Sequence, residues 1–215
     1  MKPVIGAGWE GCGKGVNKTV HYINGTPAVG DNFPDMPGLV AYGHKKGAKM
    51  GFYLNGCGCN ERVAKEINYR GDVEATVAWG FDGVKIDSCG AQKNMTLYHA
   101  LFNATGKAIT VENCHQGQNI PDGGNPDQEG PGWCPYNLFR TSGDITNLWD
   151  RVMSNLLTVV PFLSNKSDHY HPLSRPGCWA YPGAAAQPLS HGMPGLSFSE
   201  ALLFACRHVG SRQDA

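Results

Sequence analysis

The run Gly83-Val84-Lys85-Ile86-Asp87 decides how this chain is read, because it is too short for a helix and too apolar at alternate positions for a loop. It reads as a buried strand whose far end carries Lys85 and Asp87 on one side, two residues apart. Arg70 to Trp79 precedes it as a helix, capped near Asp72 and ended by Gly80. The helix from Asn94 to Thr105 follows, closed by Gly106, and then a strand over Ala108 to Glu112. Upstream, Met50 to Leu54 reads as a strand preceded by a helix from Met36 to Lys46 with Gly47 as its stop. Downstream, Leu138 to Thr141 reads as a short strand and Thr146 to Val160 as a helix. Strand then helix, repeated, predicts parallel βα units in one domain.

Outside this rhythm, residues 115 to 137 are rich in glycine, proline and asparagine, too long for an ordinary connection and suited to a functional loop. Asn165 to Pro182 is loop-like. Leu196 to Val209 has the spacing of an amphipathic helix but follows no strand visible in the sequence. The 215 residues are 41% hydrophobic, which is enough for a core, and 18 basic residues balance 18 acidic ones. Zero formal charge offers no basic surface for nucleic acid or an anionic membrane. No apolar run reaches the ~18–20 residues of a membrane span.

Eight cysteines and five Asn-X-Ser/Thr sequons, at Asn17, Asn24, Asn94, Asn103 and Asn165, point to the oxidising, glycosylating secretory pathway. Extracellular, vacuolar or lysosomal destinations all fit. Residues 1 to 20 hold no signal peptide, which suggests a missing N-terminus. Cys57 and Cys59 have no partner pair at zinc-finger spacing, so disulfides are the expected use of the cysteines. His169 and His171 lack a third ligand nearby and read as surface histidines.

In parallel α/β folds, side chains at the C-terminal ends of strands carry the chemistry. Asp87 and Asp144 stand at two such ends, with Arg140 four residues before Asp144. Two carboxylates about 5–5.5 Å apart serve a retaining glycosidase as nucleophile and acid. Taken singly, each reads as readily as a loop cap or a helix N-cap.

Four ordered segments sharpen this: Phe33 to Leu39, Gly47 to Tyr53, Gly83 to Cys89 and Arg140 to Ile145. They resemble the α-galactosidase (melibiase) family, glycoside hydrolase family 27, and the resemblance runs from about Trp9 to Pro182. It implies a (β/α)8 TIM barrel, here incomplete at about five or six of eight units, and release of terminal α-linked galactose with retention. It implies Asp87 as nucleophile and Asp144 as acid/base. Lys85 and Arg140 would contact sugar hydroxyls, Tyr53 would support the nucleophile, and Cys114 and Trp9 join the substrate-binding set. For the disulfides it implies that Cys89 bridges to Cys57 or Cys59, and Cys114 to Cys134. Trp9 and Trp133 read as sugar platforms or, equally, as core residues.

The implied substrate is an α-galactoside, with α-N-acetylgalactosaminide as the alternative and Gln116 standing where many members carry tryptophan. No cofactor or metal is implied, because two carboxylates and water suffice. Three departures stand out. Ala7 and Gly8 precede Trp9 where the family carries an aspartate pair. The first barrel strand is expected upstream of Met1. The barrel is expected to occupy residues 1–182, with 183–215 an atypical tail resembling nothing in the family. A partial barrel with open edges could complete itself as a homodimer, and an inactive truncated product or sugar-binding relic is the competing outcome.

Overall fold

A computed structural model describes residues 4–5, 8–56, 59, 61–114, 134–144, 148–163 and 174–183. Its centre is a six-stranded sheet in which sequence order and spatial order coincide. The strands are β1 (Val4–Ile5), β2 (Gly51–Leu54), β3 (Gly83–Ile86), β4 (Thr110–Asn113), β5 (Leu138–Arg140) and β6 (Trp179–Tyr181). All five pairings are parallel. Helix α1 (Met36–Lys45) joins β1 to β2, α2 (Glu66–Ala78) joins β2 to β3, and α3 (Met95–Ala104) joins β3 to β4. Helix α4 (Trp149–Leu157) lies between β5 and β6. Strands that add one after another in a single direction, with helices after β1, β2, β3 and β5, are the arrangement of an α/β barrel wall, of which the described residues supply six strands.

The two faces of the sheet differ chemically. Phe52, Leu54, Val84, Ile86, Val111 and Phe139 are buried and pack under the helices with Met36, Val40, Tyr69, Val73, Met95, Tyr98 and Phe102. Phe52 anchors this layer, stacked on Phe81 at 4.4 Å between ring centres and edged by Trp79 at 5.4 Å. The residues between them in sequence face the other way. Tyr53, Lys85, Glu112 and Leu138 form one register row across β2 to β5, and Arg140 pairs with Tyr181 two residues further on. This second face, the inside of the barrel wall, is polar and only partly buried.

Boundaries follow local chemistry. Asp35 caps α1, its carboxylate accepting from the Gly38 amide at 2.8 Å, and Asn94 caps α3 by accepting from the Leu97 amide at 2.8 Å. Helix α2 begins at Glu66, four residues before the expected start, because Asp72 is not its cap. Asp72 is buried in mid-helix, where it holds His21 and Tyr98. Helix α4 is shorter than expected, ending at Leu157 before a 3-10 turn over Val160–Leu163. The expected helix over 196–209, the loop over 115–133, Trp133, His169 and His171 lie outside the described residues.

The cysteines correct one expectation. Cys134 bridges to Cys178, not to Cys114, and Cys114 is a buried free thiol. Cys114 sits one residue beyond β4 with its amide bonded to the Ile86 carbonyl, so the sheet fixes it away from that bridge. Cys12 pairs with Cys59, which removes Cys59 as a partner for Cys89; Cys89 is itself disulfide-bonded, and Cys57 lies outside the described residues.

Candidate active site

The two ends of the sheet do different work. At the N-terminal end, Asp82 accepts from the Met50 amide at 2.8 Å, from His44 at 2.7 Å and from Lys49 at 3.1 Å. Burial alone would raise its pKa, but these donors outweigh burial and hold the carboxyl down at about 2. That cluster ties strand ends together, which is a structural task.

At the C-terminal end, Asp87 leaves β3 with its amide bonded to the Leu54 carbonyl at 3.0 Å. Its carboxylate receives three donors: the Ser88 amide at 2.6 Å and the Cys89 amide at 3.2 Å on Oδ1, and the Tyr53 hydroxyl on Oδ2. Three bonds, one from β2 and two from the turn after β3, leave the carboxylate one orientation. Burial, then the bond and charge of Asp87, push the Tyr53 hydroxyl far above its ordinary pKa, so it stays a donor. Asn55, at φ +61°, donates to the Asp87 carbonyl at 2.6 Å and accepts from the Gln92 amide at 2.9 Å, pinning the turn that presents Asp87.

Arg140 ends β5 and donates to Asp144 at 2.6 Å. Its side chain is 12% exposed while that of Asp144 is 87% exposed, so a buried guanidinium anchors a solvent-facing acid. With its acid in water the pair adds little stability, and its use is positional. Cys114 lies close enough to Lys85, Arg140, Asp87 and Glu112 to feel the charge of each. Burial pushes its thiol up to about 11 despite the two cations. Tyr53, Lys85, Asp87, Cys114, Arg140 and Asp144 therefore gather at one end of the sheet, on four neighbouring strands and the turns that follow them.

Trp9 does not stand among them as a sugar platform. It is 2% exposed, its ring 4.5 Å from Phe52, and its indole N–H donates to the Tyr53 carbonyl at 2.6 Å. The core alternative is the one realised, with Trp9 behind Tyr53. Sequence reasoning missed Glu112 and Tyr181. Glu112 faces Lys85 at 3.5 Å and accepts from the Tyr181 hydroxyl. The period-2 pattern of β4 could have found Glu112, since it falls in step with Lys85. No group of three His, Cys, Asp or Glu placed to hold a metal occurs among the described residues.

A family model described as alpha galactosidase A (Melibiase_2) matches residues 27–200. A Dictyostelium discoideum protein assigned as an alpha-galactosidase is 32% identical over 152 residues, which make up 66% of this chain and 38% of that protein. A solved Bacteroides fragilis NCTC 9343 structure assigned as an alpha-galactosidase/melibiase is 25% identical, with a TM-score of 0.59, over 83% of this chain and 37% of that one. Alpha-galactosidase I of Mortierella vinacea has the same fold, with a TM-score of 0.56 at 18% identity over 84% of this chain and 48% of its own. The match therefore spans less than half the length of each of these relatives.

Proposed function

Because the chain belongs to the alpha-galactosidase (melibiase) family of glycoside hydrolases, we propose that it cleaves terminal α-linked galactose with retention, through Asp87 and Asp144. The observation that carries this reading is the fixed Asp87 carboxylate at the C-terminal end of β3, with a second carboxylate tethered by Arg140 at the same end of the sheet. Asp87 attacks the anomeric carbon and forms a galactosyl ester, while Asp144 gives its proton to the departing oxygen. Asp144 then takes a proton from water, and that water opens the ester at the same carbon.

The remaining residues serve this chemistry. Tyr53 and the Ser88 and Cys89 amides aim the nucleophile. Lys85 and Arg140 donate to sugar hydroxyls, and the reach of Asp144 into water suits a group that must meet both the leaving oxygen and the incoming water. Disulfides and sequons support passage through the secretory pathway.

The test is release of nitrophenol from its α-galactoside by the full chain made in a secretory host, beside Asp87→Asn, with NMR of the sugar first formed. The expected product is α-galactose, abolished in the variant. β-Galactose as first product refutes retention, and preference for the α-N-acetylgalactosaminide refutes galactose as substrate. Folded protein that binds galactose but releases none is the relic.

A further inference from the structure

Lys85 on β3 and Glu112 on β4 are register partners on the polar face of the sheet, two residues before Asp87 and Cys114. Their charged ends are 3.5 Å apart and each side chain is 22% exposed, so the pair is neither sealed in the core nor loose in water. One oxygen of Glu112, Oε1, takes both the ammonium of Lys85 and the hydroxyl of Tyr181. Burial, and then the Glu112 carboxylate, push the Tyr181 hydroxyl far above its ordinary pKa, so it remains a donor. Glu112 is thus held from two sides through one oxygen, while Oε2 makes no hydrogen bond among the described residues.

A sugar hydroxyl both donates and accepts, so a face that grips a diol needs an acceptor as well as cations. Lys85 and Arg140 bring donors only. Both oxygens of Asp87 are already occupied, and Asp144 is engaged by Arg140. Leu138, next along the register row, has no polar group. Glu112 Oε2 is then the acceptor that is fixed in place and open beside Lys85.

We infer that Lys85 and Glu112 form a clamp for two adjacent hydroxyls of bound galactose, Lys85 donating to one oxygen and Glu112 accepting the proton of the other through Oε2. This rests on the reading of the site as a galactosidase. The clamp binds substrate and does no chemistry, so its loss falls on affinity. Tyr181 is a positioning residue that acts through Glu112.

The test measures binding of galactose, 3-deoxygalactose and 4-deoxygalactose to the full chain and to Glu112→Gln, with circular dichroism to confirm folding. The variant should bind galactose at least about tenfold more weakly, the loss expected for a hydrogen bond to a charged group. It should differ from wild type by less than about twofold for the deoxygalactose that lacks the clamped hydroxyl, because that bond is already gone. Tyr181→Phe, which keeps the carboxylate and frees it, should weaken galactose less than Glu112→Gln does. If Glu112→Gln does not fold, Glu112→Asp takes its place with the same expectation, since the shortened side chain draws the carboxylate back. Equal galactose affinity in variant and wild type overturns the clamp and leaves the roles of Asp87 and Asp144 standing. Wild-type protein that neither binds galactose nor hydrolyses an α-galactoside refutes the galactosidase reading, and the clamp with it.

Discussion

His21 offers the sharpest test of the packing, because it is buried between two acids. Its Nδ1 is 2.7 Å from Glu61 and its Nε2 is 3.0 Å from Asp72. The acids are themselves tied down: Asn68 and Gln92 donate to Glu61, and the Tyr98 hydroxyl donates to Asp72 at 2.7 Å. Burial alone would lower the imidazole pKa, but the bonds and charges of Asp72 and Glu61 raise it from 6.5 to about 9. A shift of that size corresponds to roughly 3 kcal/mol of stability. Because the folded value lies above the unfolded one, this contribution is complete below pH 6.5. It declines by about 1.4 kcal/mol per pH unit towards pH 9 and is absent above that. Urea unfolding with disulfides intact, followed by far-UV circular dichroism from pH 6 to 10, should show wild type losing this increment while His21→Asn does not. A wild-type-minus-variant difference that stays constant to within about 0.5 kcal/mol across that range refutes the clamped imidazolium.

Two further outcomes follow from the site. Non-reducing peptide mapping should recover Cys12 with Cys59 and Cys134 with Cys178, while Cys114, buried and with its pKa pushed up to about 11, resists iodoacetamide at pH 8 until the protein is unfolded; a Cys114-to-Cys134 peptide contradicts the fold. Tyr53→Phe, which removes one donor from Asp87, should lower kcat about 10- to 100-fold and change KM less than about threefold; unchanged kcat removes Tyr53 from the machinery.

Four strands were legible because each is a short apolar run bounded by glycine or a helix stop, as in Gly83-Val84-Lys85-Ile86. β1 and β6 were not, since two or three residues beside glycine or proline, as in Val4-Ile5 and Trp179-Ala180-Tyr181, carry no measurable period. Motif order singled out Asp87, Lys85, Arg140 and Asp144, and the structure places all four towards one end of the sheet. The His21 cluster was invisible because its acids lie 40 and 51 residues away, and only folding brings a lone histidine to them. The Cys114–Cys134 bridge implied by the resemblance failed because Cys134 bonds Cys178 and leaves Cys114 a buried thiol, which no motif in the chain reveals.

The central claim is that Asp87 becomes covalently attached to galactose. The direct measurement is mass spectrometry of the full chain after incubation with 5-fluoro-α-galactosyl fluoride, whose slow turnover accumulates the ester, followed by proteolysis and sequencing of the labelled peptide. The account predicts one galactosyl adduct per chain, on Asp87, absent from Asp87→Asn and competed away by galactose. A folded chain that takes no label, or carries it on another residue, contradicts it.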